Sequence, residues 1–118
     1  MNETAITLKK GETKNLNNEI TITFISHSHK KAHINGPPSP LIMYLEYEHQ
    51  GKKEKAQHNL ITNYESLKKD KTGWRWNNIY FILIEYSYND YIQFEVYFEY
   101  IPTKYKHIFG PVDPQIYS

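Results

Sequence analysis

Two strand-like runs, Ile79 to Tyr88 and Tyr91 to Ile101, stand back to back across Asn89-Asp90. β-Branched and aromatic residues dominate both runs, and Asn and Asp tolerate the left-handed backbone that a tight reversal needs. The segment therefore reads as an antiparallel hairpin. With a two-residue loop, Tyr88 is expected to face Tyr91, Leu83 to face Val96, and Phe81 to face Phe98. One face then carries Phe81, Leu83, Phe94, Val96 and Phe98, which is a core face. The other carries Ile82, Ile84, Tyr86, Gln93, Glu95 and Tyr97. The first strand is apolar on both faces and is expected to be central in its sheet. The second alternates, so one of its faces is expected to be wet. By the same parity Glu85 falls on the core side, although its place near the hairpin end argues for a solvated rim.

A chain that contains such a hairpin needs further strands to cover it, and the sequence supplies them. Ile6 and Leu8 alternate with Thr7 and Lys9, Lys10-Gly11-Glu12 punctuates, and Thr13 to Leu16 extends again. Asn17-Asn18 is a turn pair, followed by Ile20, Ile22 and Phe24 on one face with Thr21 and Thr23 opposite. Gly36-Pro37-Pro38-Ser39-Pro40 is a stiff connection, because proline cannot donate to a ladder. It is expected to cross between sheets. Leu41, Met43, Leu45 and Tyr47 then alternate with Ile42, Tyr44, Glu46 and Glu48. His49-Gln50-Gly51-Lys52 turns the chain into an edge strand, Lys53 to Ile61, whose charges discourage strand-to-strand association. Thr62–Lys71 is the one place for a short helix, and Gly73 ends it. The expected fold is an all-β, antiparallel β-sandwich of about seven strands, Ig-like or jelly-roll-like, with at most one short helix near 62–71.

At 118 residues the chain is one domain, residues 1–118, with an irregular C-terminal tail from about 102 to 118 set by Pro102, Pro111 and Pro114. It has no cysteine, which excludes disulfides, thiolate metal sites and cysteine nucleophiles. A formal net charge of +1 offers no basic field, so no specific nucleic-acid partner is expected. No apolar run approaches the ~20 residues of a membrane helix. The start, Met1 to Thr7, lacks the charged and apolar regions of a signal peptide, so the expected location is the cytoplasm.

One short segment has metal-ligand chemistry. In Ser26-His27-Ser28-His29-Lys30-Lys31-Ala32-His33, residues 27 and 29 share a face of an extended strand, and His33 returns from the following loop. Three imidazoles suit Zn, Cu or Ni. Lys30 and Lys31 oppose a cation, and a polar strand end is the competing reading. A second segment, Gly73-Trp74-Arg75-Trp76-Asn77, puts two indoles on one face. Such a pair stacks on sugars when exposed and closes a core when buried. No phosphate loop, nucleophile elbow or paired carboxylates stand in the sequence.

These features favour a non-enzymatic binding domain that engages another protein, or a second copy of itself, with no cofactor. The expected contact surface is the second face of the hairpin, Ile82, Ile84, Tyr86 and Tyr97, too apolar to remain in water. The C-terminal tail or the segment 62–71 is expected to cover part of it, and a partner or second copy the rest. A divalent transition-metal protein using His27, His29 and His33, and a carbohydrate-binding module using Trp74 and Trp76, are the alternatives.

Overall fold

A computed structural model describes residues 4–17, 19–29, 40–62, 64–98 and 101–109. Its strands are β1 (Thr4–Lys9), β2 (Thr13–Asn15), β3 (Ile20–His29), β4 (Pro40–His49), β5 (Lys52–Ile61), β6 (Thr72–Trp76), β7 (Ile79–Ser87) and β8 (Tyr91–Tyr97). Two short helices, α1 (Tyr64–Lys69) and α2 (Lys106–Phe109), join them, with a 3-10 turn at Thr103–Tyr105. The strands form two four-stranded antiparallel sheets, ordered β1-β8-β7-β6 and β2-β3-β4-β5. This is the expected all-β sandwich. The strand beyond the seven expected is β6, which holds both tryptophans.

The inward faces of the two sheets share one core. Ile22, Phe24, Leu41, Met43, Leu45 and Tyr47 meet Phe81, Leu83, Ile92, Phe94 and the two tryptophans. β7 is central, and its first five residues are all buried, as a strand covered on both faces must be. β5 is an edge strand, as its charges suggest. The proline-rich link does not cross between sheets. The strands it joins, β3 and β4, are neighbours in one sheet, and residues 30–39 lie outside the described residues.

The terminal hairpin departs from expectation in register. Its turn holds three residues, Tyr88 to Asp90, with Ser87 opposite Tyr91. The Asp90 amide donates to the Ser87 carbonyl (2.9 Å), and Asn89 takes a positive φ of 54°. The longer turn moves the register by one residue and a bulge between Leu83 and Glu85 by a second, so Phe81 faces Val96 and Leu83 faces Phe94, two residues from the expected pairing. A two-residue slip preserves parity, so Phe81, Leu83, Phe94 and Val96 do form core. Phe98, expected in the core, lies beyond the end of β8 and is 40% exposed.

A β-bulge at Ile84 makes the larger correction. The register shifts between Leu83 and Glu85, so every later residue of β7 changes face. Glu85 turns to the exposed side, where it accepts the Tyr91 hydroxyl. Tyr86, expected on the outer face, enters the main core instead.

The outer face of the β7–β8 pair is covered by the chain itself. Tyr80, Ile82, Tyr97, Ile101 and Tyr105 form a second buried cluster, with Ile84, Ile108 and Phe109 against it. The tail expected to be irregular is helical over 103–109. Glu95 fixes it by accepting hydrogen bonds from Tyr97 (2.7 Å) and Tyr105 (3.0 Å).

Candidate docking face

The two outer sheet faces are treated differently. That of the β1-β8-β7-β6 sheet is roofed by 103–109, while α1 packs against β7 and α2 against β6. The outer face of β3, β4 and β5 has no such roof among the described residues.

Pairing registers define what that face presents. Leu41, Met43, Leu45 and Tyr47 point inward from β4, so Ile42, Tyr44, Glu46 and Glu48 point outward. Their partners on β5 are Asn59, Gln57, Lys55 and Lys53. On β3 a bulge at Ile25 shifts the register between Phe24 and Ser26. Simple alternation after Phe24 would send Ser26 and Ser28 inward. The bulge instead pairs Ser26 with Tyr44 and Ser28 with Ile42, on the outer face, and turns His27 into the core.

Ile25, Ser26, Tyr44, Lys55 and Gln57, with Leu45 and Ala56, line an open depression of ≈ 480 Å³ on this face. Its apolar part includes half-buried Tyr44 and Ile25, with Ile42 outward at the next alternate position of β4, and its rim is hydroxyl, amide and charge. Glu46 stands opposite Lys55, and Glu48 opposite Lys53. One column of the face is therefore acidic and the next basic, and the charges offset each other.

At the open side of the sandwich, where β5 approaches β6, a polar chain runs through the aromatic core. Trp74 Nε1 donates to the Tyr47 hydroxyl (3.0 Å), which lies 2.9 Å from His58 Nε2. An indole N–H is only a donor, so the Tyr47 oxygen accepts from it and its own proton points to His58. His58 Nε2 is then the acceptor, and the imidazole proton sits on Nδ1. Burial pulls the His58 pKa from 6.5 down to about 4, in keeping with a neutral ring. Burial also pushes the Tyr47 phenol well above its ordinary value, with the Trp74 hydrogen bond opposing and Glu54 adding. Tyr47 stacks on Trp76 at 4.2 Å, and Trp76 Nε1 donates to Glu54 (3.3 Å). This network satisfies the polar atoms of large core residues.

The residues singled out in the sequence fall into different places. Trp74 and Trp76 are buried between the sheets, so they form no exposed platform for a sugar. Of the expected contact surface, Ile82 and Tyr97 lie under the chain's own C-terminal segment with Ile84 against them, and Tyr86 is core. His27 is 3% exposed, and its Nδ1 accepts the Asn89 amide (3.0 Å), so one imidazole nitrogen is already engaged. The His29 side chain and His33 lie outside the described residues. Among the described residues no three metal-ligating side chains converge, and no helix is long and apolar enough to cross a membrane.

The face built on Tyr44 was visible in sequence only as a hint. Ile42 and Tyr44 interrupt the polar alternate positions of β4, as Ile82 and Ile84 do in β7. What the sequence could not show is which of the two outer faces the chain would cover for itself. Comparison with protein-family models, curated proteins and solved structures finds no match to this chain.

Proposed function

We propose that the chain is a binding domain that engages another protein through the outer face of β3, β4 and β5. The observation that carries this is the contrast between an apolar outer face roofed by 103–109 and a second, mixed outer face that bears the depression around Tyr44. An apolar centre with tyrosine, ringed by amide, hydroxyl and charge, has the make-up of a protein interface. The alternating Glu and Lys columns give no basic stripe to follow a phosphate backbone. Burial of both tryptophans removes the flat platform that a carbohydrate module would use.

Site-specific photo-cross-linking tests this. A photo-reactive residue at Gln57, on the rim of the depression, is expected to capture protein in an extract of the native host. The same residue at Asn78, in the exposed β6–β7 turn, is expected to capture far less. Equal capture from the two positions would remove the assignment.

A further inference from the structure

The charge pattern of this face narrows the partner. Glu46 and Glu48 lie on β4, and Lys55 and Lys53 lie at the same levels on β5. All four point outward, and no ion pair within 4 Å joins them. A two-fold axis running along the β4–β5 seam, in the plane of a face-to-face contact, exchanges the two columns. It lays β4 of one copy over β5 of the other without changing level. Each glutamate then meets a lysine of the second copy, and Tyr44 meets Gln57, its register partner on β5. The face is its own electrostatic complement, the property that a two-fold interface requires.

Its extent sets the strength. β5 is the edge strand, so this axis overlays β4 and β5 alone, two strands of ten residues giving a contact roughly 34 Å long and ~10 Å wide, on the order of 300 Å² in projection. That is below the ~800 Å² that each partner buries in an ordinary stable interface, so the association is weak and concentration-dependent. Sheets packed face to face with aligned strands are also a standard solution for β-structure.

We infer that the partner for this face is a second copy of the chain, packed sheet to sheet across a two-fold axis along the β4–β5 seam. The inference rests on the reading of this face as a docking surface and adds the identity of its occupant.

Sedimentation and light scattering test it. The wild type is expected to rise with concentration from 14.1 kDa toward twice that mass. Tyr44→Ala should hold it at the lower value while circular dichroism remains that of a folded chain. The paired variants Glu46→Lys/Glu48→Lys and Lys53→Glu/Lys55→Glu should each be monomeric, since each makes the face a single sign. Mixed in equal amounts at ~150 mM salt they should form a 1:1 dimer, because opposite columns now match across the axis. Lys68→Glu/Lys69→Glu alters the exposed last turn of α1 by the same charge, and it should not pair with the all-lysine variant. A wild type that remains at 14.1 kDa up to ~1 mM would overturn self-association. So would failure of the two folded swapped variants to pair, or equal pairing by the α1 variant. If self-association fails while Gln57 still cross-links a different protein, the docking face stands and only its occupant changes.

Discussion

His27 and Asn89 exchange two hydrogen bonds across 62 residues of sequence. The His27 amide donates to Asn89 Oδ1 (2.6 Å), and the Asn89 amide donates to His27 Nδ1 (3.0 Å). The pair ties the tip of the β7–β8 hairpin, in one sheet, to β3 in the other. Two local irregularities make it. The bulge at Ile25 turns His27 inward, and the positive φ of Asn89 aims its amide at the ring. Asparagine suits this position because it tolerates the left-handed region and supplies the acceptor.

Asn89→Ala is therefore expected to destabilise by ~1–3 kcal/mol, because it strands the His27 N–H and strains the turn. Asn89→Asp keeps both the oxygen and much of the tolerance for positive φ, so its loss should be smaller. Urea melts of the two variants check this. Equal losses would mean that the side-chain oxygen contributes little.

The hairpin register makes a second prediction. Leu83 is fully buried opposite Phe94, so Leu83→Ala should cost ~2–5 kcal/mol. Phe98→Ala, at an exposed site past the end of β8, should cost under ~1 kcal/mol. The two-residue turn would have made Phe98 the partner of Phe81 and its loss severe. Comparable denaturation midpoints for the two variants would restore that register.

These residues also show how far the sequence could be read. Period-two alternation correctly puts Leu83 and Phe94 on a core face and groups Ile20, Ile22 and Phe24 on one face, which the structure buries, because inward apolar residues are what hold a strand in place. Alternation counts residues, however, and a bulge adds one without an obvious signature. Ile25 and Ile84 are β-branched residues inside apolar runs, with no glycine to mark them. Beyond each bulge the reading inverts, so Tyr86 is expected on the wrong face and Glu85 by simple parity in the core, while nothing in the sequence marks the inward turn of His27. Trp74 and Trp76 were ambiguous for another reason. Whether an indole pair stacks on a ligand or on Tyr47 and Phe81 is decided by what lies across the core, which is not a local property.

Gly73 gives a prediction about close approach. A Cβ built there would run into the Phe81 carbonyl oxygen, in the backbone of the neighbouring strand. Gly73→Ala should force β6 away from β7 and loosen Trp74 on Phe81, where the rings stack at 4.9 Å. A lowered melting temperature with red-shifted tryptophan fluorescence is the expected outcome. An unchanged emission spectrum would show that β6 adjusts without moving the indoles.

The chain from Trp74 through Tyr47 to His58 yields the last prediction, a dependence on pH. The folded pKa of His58, about 4, lies below its ordinary 6.5, so the unfolded chain binds the proton more readily. The contribution of this group to stability is then fully present above pH ~6.5 and is lost as pH falls toward 4. Burial is the cause, since it disfavours the charged ring, and protonation at Nε2 would also remove the acceptor for the Tyr47 hydroxyl, whose oxygen already receives the Trp74 N–H. The ring is only partly buried, so solvent screening reduces the full effect to ~1–2 kcal/mol. His58→Gln cannot take up that proton, yet its amide oxygen can still accept from Tyr47. Other groups titrate in the same range, so the diagnostic quantity is the difference between wild type and variant in urea melts from pH 7.5 to 4. The wild type should lose ~1–2 kcal/mol more than His58→Gln over that interval, with the gap opening below pH ~6.5. Parallel curves would mean that His58 titrates alike in the folded and unfolded chains, and the neutral hydrogen-bonded ring would then be the wrong description of this side of the sandwich.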